Sequence, residues 1–406
     1  PVPDADETMI GGIFQPQIRF GDGDYINIGD EFLILGELGI PFQELQIPRS
    51  VFTSVDGYAE GENAIFIAIA RDRAGNETVG TTDNTSIHID EIFPELTDIS
   101  IYSDNELDTT WAKLGNNVTL QFTASEGLSS PSGIILVDTL TLNSTLNGTE
   151  WTLTKLLDEE DEEGVISFSI SFADTAGNIG NPISETTNGV EVTLDKTNPS
   201  ISNLLEGENG EDISYYNQSD SITLYWEQYD SLAGVLDGYV ALGTDSNSTD
   251  IFDWTLSDNG SFSGLGELNL SNNGIYFGGA FIRDSAGNHS DTIWGNSIYI
   301  DTKIPDTGSI IDGYWVMDLD YSIDSTKLSY IWSNFTDNTE IDYYEIAIGT
   351  GNDTSNTLDW ITSDSTDSMT VTGLNLVRDT LYYTYIKAVD LATNQSISAK
   401  TDGIYF

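Results

Sequence analysis

The chain has no cysteine, two histidines, three methionines, and only 13 lysines and arginines against 67 aspartates and glutamates in 406 residues. Each shortage closes a class of function. Without cysteine there is no disulfide scaffold, no zinc-thiolate centre and no thiol nucleophile. A formal net charge of −54 leaves too few cations to neutralise phosphates, which argues against nucleic acid as a partner. No apolar run approaches the roughly 18 residues of a membrane-spanning helix, and the N-terminus lacks the charged-then-apolar pattern of a signal segment. For a secreted protein, signal and anchor are therefore expected outside this stretch.

What is present suits a folded, multi-domain chain. The 38% hydrophobic and 11% aromatic content can build real cores, and the length exceeds one ordinary domain. The acid excess fits a protein that meets cations, high salt or a solvated surface lattice.

An internal repeat organises the sequence. Asp72-Arg73-Ala74-Gly75-Asn76 recurs as Asp174-Thr175-Ala176-Gly177-Asn178, Asp284-Ser285-Ala286-Gly287-Asn288 and the degenerate Asp390-Leu391-Ala392-Thr393-Asn394, at spacings of 102, 110 and 106 residues. Each copy follows a strand-like run (AIFIAIA, VISFSISFA, IYFGGAFI, LYYTYIKAV) and precedes another. Three of those later segments run into an acid and then a proline, which places domain starts at Pro94, Pro199 and Pro305. The expected domains are 1–93, 94–198, 199–304 and 305–406. Both ends of the stretch fall on repeat boundaries, as expected for a piece of a longer array.

The third and fourth repeats align without a gap at an offset of 106: Trp226 on Trp332, Asp253-Trp254 on Asp359-Trp360, Leu270 on Leu376, Tyr276 on Tyr382 and Asp284 on Asp390. The layout "ITLYW … LNLSNNGIYF … RDSAGN" resembles the fibronectin type III family. That resemblance implies a core tryptophan on the second strand and a tyrosine corner at Leu270/Tyr276 and Leu376/Tyr382. The first two repeats resemble bacterial and archaeal Ig-like surface domains, through "LGNNVTLQFTASEGL" followed by "FADTAGN" in the second; "YINIGDEFLI" is the matching strand in the first. Ala64 and Ile166 stand where the corner tyrosine would be. The fold expected is all-β: four tandem Ig-like and fibronectin type III-like β-sandwiches in an elongated array.

Chemistry is sparse in this pattern. His289 lies in the third turn, but the matching positions hold Glu77, Ile179 and Gln395, so the turn does not need an imidazole. His88 and His289 lack any G-x-S-x-G context, and no catalytic residue is expected. The run Asp158 to Glu163 reads first as a solvated loop. "DSNSTDIFDW" from Asp245 has Asp250 where a calcium-loop glycine belongs.

The sharper expectation is calcium at the domain junctions. In an Ig-type sandwich the F–G turn lies at the end where the preceding domain enters, so Asp174 should approach Asp90 and Glu91, Asp284 should approach Asp195, and Asp390 should approach Asp301. Converging carboxylates and carbonyls make an oxygen-only, anionic setting suited to Ca²⁺. The plainer alternative is that Asp and Asn make local Asx-type hydrogen bonds while glycine supplies the positive φ. Thirteen N-x-S/T sequons, at Asn76, Asn84, Asn117, Asn143, Asn147, Asn217, Asn247, Asn259, Asn269, Asn288, Asn334, Asn352 and Asn394, are candidate glycosylation sites.

The leading functional expectation is an extracellular structural protein, a segment of a cell-surface layer, stalk, sheath or filament that self-associates or meets other surface components. An adhesin or carbohydrate-binding array, with Trp254 and Trp360 as glycan-stacking candidates, is the alternative. A non-catalytic spacer of a secreted hydrolase comes third.

Overall fold

The computed structural model describes residues 11–33, 46–80, 86–144, 148–207, 210–257, 262–315, 317–364 and 367–406. The sequons Asn84, Asn147 and Asn259 lie outside the described residues. Two compact units emerge: residues 1–102, 117–156 and 165–192, and residues 103–116, 157–164 and 193–406. Among the described residues the secondary structure is nearly all strand, with one four-residue helix, Arg49–Phe52. Among the described residues no helix is long and apolar enough to cross a membrane.

In the second unit, eight strands of the third repeat, between Ser200 and Ile300, form two sheets around one core. Ser200–Glu206, Ile222–Tyr229 and Phe262–Leu265 make a three-stranded sheet; Tyr215–Tyr216, Ile293–Ile300, Ile275–Asp284, Val235–Gly243 and Phe252–Leu256 make a five-stranded one. The period-two pattern of ITLYW sends Ile222, Leu224 and Trp226 inward, where they meet Val240, Leu242, Ala280, Ile282 and Ile298 of the other sheet. The fourth repeat has the same plan. Ser309–Tyr314, Lys327–Ser333 and Ser368–Thr372 oppose Ile341–Thr350, Asp353–Ser363 and Leu381–Asp390, with Trp332 and Tyr330 enclosed among Ile346, Ile348 and Ile386.

The tyrosine corner forms in both sandwiches. The Ser271 amide donates to the Tyr276 hydroxyl at 2.9 Å, and the Val377 amide donates to the Tyr382 hydroxyl at 2.8 Å. Leu270 and Leu376 are buried six residues before each tyrosine.

The first strand of each sandwich breaks so that the chain can change sheets. Ser200–Glu206 pairs antiparallel with Ile222–Tyr229, whereas Tyr215–Tyr216 pairs parallel with Ile293–Ile300 of the opposite sheet. The break falls at Gly207, with φ +147°, and at its counterpart Gly313, with φ +136°. A side chain at Gly313 would lie 2.1 Å from the Met317 carbonyl, so the glycine is required by contact as well as by conformation.

In the first unit, Ile13–Phe20 pairs antiparallel with Asn63–Arg71, from Ile13 opposite Arg71 to Phe20 opposite Ala64, around Ile18, Phe20, Ile28, Val55 and Ala64. "YINIGDEFLI" does not form one strand here. It contributes Ile26–Asn27 and Phe32–Leu33, both paired with Ile13–Phe20, because Gly29 takes a φ of +69° between them. Elsewhere in this unit, Asn117–Ala124 and Glu150–Leu156 pair antiparallel, with Val118, Leu120 and Phe122 buried at alternate positions.

Candidate functional site

The recurring D-x-A-G-N segment is a clasp built from its own side chains. In the second copy, Asp174 Oδ1 accepts the Asn178 amide at 2.9 Å and the Gly177 amide at 2.7 Å, while Asp174 Oδ2 accepts Asn178 Nδ2 at 2.8 Å. Gly177 has φ +100°, which closes the turn. Asp72/Asn76, Asp284/Asn288 and Asp390/Asn394 repeat the pair of bonds within 2.8–3.0 Å. The Asx-type reading of the motif is therefore what the structure contains. At the degenerate fourth copy Thr393 occupies the left-handed position at φ +68° without changing the clasp.

Three of the four clasps also grip the segment leading in from the preceding repeat. Asn178 Nδ2 donates to the Asp90 carbonyl at 3.0 Å, Asn288 Nδ2 to the Asp195 carbonyl at 3.1 Å, and Asn394 Nδ2 to the Asp301 carbonyl at 2.9 Å. The gripped aspartates fold alike: each Oδ1 accepts the amide two residues on, from Ile92, Thr197 and Lys303.

This arrangement brings carboxylates together at each clasp. Asp90 and Asp174 are joined by Glu126, Asp195 and Asp284 by Asp230, and Asp301 and Asp390 by Asp337, with one oxygen from each residue within 4.8 Å of the others in its group. The expected pairs thus meet. Glu91 does not join them; its carboxylate is held by Arg49 and Tyr58. The third acids escaped the sequence reading because they sit in loops after the second strand, outside the recurring motif. Asp230 Oδ1 accepts the Leu232 and Gly234 amides at 3.0 and 2.6 Å, while its buried Oδ2 has no hydrogen-bond partner. Lys303 Nζ lies 3.6 Å from Asp337 Oδ1, a cation beside the third group.

Burial dominates the proton affinities. Asp195, fully buried, is pushed up to about 6 by desolvation, although the Thr197 and Ala233 amides pull it down; Glu163 and Asp230 add to the rise. Burial also raises Asp284 and Asp390, against the bonds from Asn288 and Asn394. Glu126 rises through burial and then through the charges of Asp90 and Asp174. For Asp174 burial pushes upward, but the bonds from Asn178, Gly177 and Ala176 together leave the carboxyl below its ordinary range.

The other sequence candidates have local duties. The His289 ring stacks on Phe281 with centroids 5.6 Å apart, and its proton affinity is lowered by burial and by Lys113 and Arg283. The acidic run is pinned as a loop: Glu163 Oε1 accepts the Lys196 and Thr197 amides and the Thr197 hydroxyl. Asp250 is tied by Thr244 and Ser248 and falls to about 2. Trp254 is half-buried between Phe281 and Trp294, and Trp360 lies under Lys387 Nζ at 4.2 Å.

Among the described sequons, Asn76, Asn143, Asn247, Asn269, Asn334 and Asn352 are exposed, while Asn117, Asn217, Asn288 and Asn394 are half-buried. Asn217 Nδ2 donates to the Thr393 hydroxyl at 3.2 Å.

No protein-family model matches this sequence, and no curated protein sequence matches it either. Among solved structures, the chain is similar to the FN1–FN3 domains of chicken CNTN1 at 12% identity and a TM-score of 0.34, over 77% of this chain and 98% of that one. Domains A168–A170 of titin match at 12% identity and a TM-score of 0.34, over 77% and 99% of the two chains. A structure described as concerning host cell surface retention of a 1.5-MDa bacterial ice-binding adhesin matches at 17% identity and a TM-score of 0.35, over 76% and 98%.

Proposed function

We propose that this chain is a structural segment of an extracellular surface assembly, whose consecutive sandwiches, bounded near Pro94, Pro199 and Pro305, are clasped at their junctions and stiffened there by Ca²⁺. The observation that carries this reading is the threefold recurrence of one arrangement. An Asp–Asn turn grips a linker carbonyl, and three carboxylates stand within 4.8 Å beside it. Repulsion among three acids favours separation unless a cation intervenes, and hard oxygen donors on loops favour Ca²⁺. The clasp would then fix each linker by hydrogen bonds and the cation would lock it. A glycan on Asn288 or Asn394 would compete with this clasp, since the same Nδ2 holds the linker carbonyl; exposed Asn143, Asn247, Asn269, Asn334 and Asn352 carry no such conflict.

The test is calorimetric titration of the whole chain with Ca²⁺, alone and as Glu126→Gln, Asp230→Asn and Asp337→Asn. These acids do not form the clasps, so the turns survive substitution. Loss of one bound ion per substitution supports the reading; unchanged binding, or none in the parent chain, defeats it.

A second reading has its own observation. Tyr239, Phe281, Trp254 and Trp294 form a contiguous aromatic row on one sheet of the third repeat, with centroid spacings of 4.8–5.8 Å. Such rings can stack on sugars, which is the adhesin alternative. Binding on a glycan array that Trp254→Ala abolishes would favour it, and an array without hits would remove it.

A further inference from the structure

We infer that each of the last two sandwiches carries a second, intradomain cation site where its first strand breaks, formed in the fourth repeat by Asp312, Asp318 and Asp402 and in the third by Glu206 and Asp212. These residues are separate from the junction clusters.

Asp312 lies on the strand Ser309–Tyr314 immediately before the break at Gly313, and none of its surface is exposed. Neither of its carboxylate oxygens has a hydrogen-bond partner. A buried carboxylate in that condition carries its full desolvation penalty, which a protein normally avoids by pairing it. Instead, two further acids point at it. Asp318, on the short strand after the break, and Asp402, before the last strand, each place an oxygen within 4.8 Å of Asp312 and of one another. Two oxygens on opposite sides of a Ca²⁺ with bonds of about 2.4 Å would be separated by about that distance. The Thr401 hydroxyl and Gly403 amide face Asp312 and temper its proton affinity, without reaching hydrogen-bond geometry.

The third repeat holds the same device at an offset of 106, with altered side chains. Glu206 replaces Asp312, Asp212 matches Asp318, and Asn296 replaces Asp402. Glu206 is also fully buried with both oxygens unpartnered. Its longer side chain fits only because Gly295 stands where the fourth repeat has Thr401: a Cβ on Gly295 would lie 1.4 Å from Glu206 Oε1. Glu with Gly in one repeat and Asp with Thr in the other are paired changes that preserve a buried carboxylate at the strand break. Asn296 stands where the fourth repeat has Asp402, and its Nδ2 donates to Asp212 Oδ2 at 3.1 Å, so the third-repeat site has one carboxylate fewer and should bind the same cation more weakly.

The competing account is that the buried acids simply hold protons. Burial and neighbouring Asp318 and Asp402 do raise Asp312 to about 7, and burial with Asp212 raises Glu206 to about 8. A proton and a cation would occupy the same place, and the two accounts diverge when Ca²⁺ is added near pH 8.

The deciding experiment titrates the whole chain with CaCl₂ at pH 8 by calorimetry and compares it with the double variant Asp318→Asn/Asp402→Asn. Both substituted residues lie at the surface, so folding is not at stake. The expected result is loss of one bound Ca²⁺, with the ions lost in Glu126→Gln, Asp230→Asn and Asp337→Asn still bound. An unchanged stoichiometry and affinity would overturn the proposal, whether or not the junctions bind. As a second variant, Asp312→Asn removes the buried charge; it should melt higher than the parent chain in chelator and lose the Ca²⁺ response of this site. Lower stability in chelator, or a retained stoichiometry, would count against the site.

Discussion

The third and fourth repeats align without a gap at an offset of 106, yet one outer sheet face differs almost completely. Around the shared Trp254 and Trp360, the third repeat places Tyr239, Phe281, Trp294 and His289, which stack into an aromatic row. The fourth places Glu345, Lys387, Lys400 and Gln395 at those positions. There Lys387 sits over Trp360 and within 4.0 Å of Glu345, and Lys400 lies 3.5 Å above the Tyr383 ring. Even Gly279, which leaves room for the Trp254 and Trp294 rings, becomes Tyr385. The core tryptophans, tyrosine corners, Asp–Asn clasps and buried acids at the strand break all persist. The lesson is that what the two repeats share concerns how each sandwich closes and joins its neighbour. A ligand on the outer face would be a property of one repeat alone.

The equivalence of the cores can be broken most severely by Trp226→Ala and Trp332→Ala. Each should cost about 3–5 kcal/mol in urea denaturation, and a mild effect at only one would show that the repeats are not packed alike. Next comes acidity. Glu206, Asp312 and Asp195 bind protons near pH 8, 7 and 6 when folded, against roughly 4 for an unfolded carboxyl. The folded chain therefore holds more protons than the unfolded chain across this window, and stability should fall as pH rises. In chelator, melting at pH 5 should exceed that at pH 8 by at least about 5 °C; a flat profile would show the buried acids to be unperturbed. Asn288→Ala and Asn394→Ala should each cost about 1–3 kcal/mol by loss of the turn and linker bonds, measured as melting shifts. The smallest effect belongs to the divergent face: Lys387→Met should change stability by no more than about 0.5–1 kcal/mol, which a thermal melt can bound.

Much of the architecture was legible because repetition supplied its own alignment. The 106-residue offset exposed Trp226/Trp332 and Tyr276/Tyr382 as internal positions, and the D-x-A-G-N turns located Asp174, Asp284 and Asp390 beside Asp90, Asp195 and Asp301. Glu126, Asp230 and Asp337 were not legible, since their loops carry no shared motif and 67 acids make single carboxylates uninformative. Glu91 was misplaced by adjacency: it follows Asp90 in sequence, but Arg49 and Tyr58 draw its side chain elsewhere. "YINIGDEFLI" alternates like a strand, and only the positive φ of Gly29 divides it. Asp312 was hidden for a different reason. An acid followed by glycine and, five residues later, by aspartate reads as a surface turn, and nothing local shows that this strand changes sheets over it.

The most direct test of the cation-stiffened junction is the thermal melt of the whole chain at pH 7.5 in excess Ca²⁺ and in excess chelator, with the triple variant Glu126→Gln/Asp230→Asn/Asp337→Asn alongside. Ca²⁺ should raise the parent's melting temperature by several degrees, about 2.7 kcal/mol of stabilisation for each site held at a hundredfold excess over its Kd, and the triple variant should lose most of that gain. Equal melting temperatures for the parent in Ca²⁺ and in chelator would contradict the account.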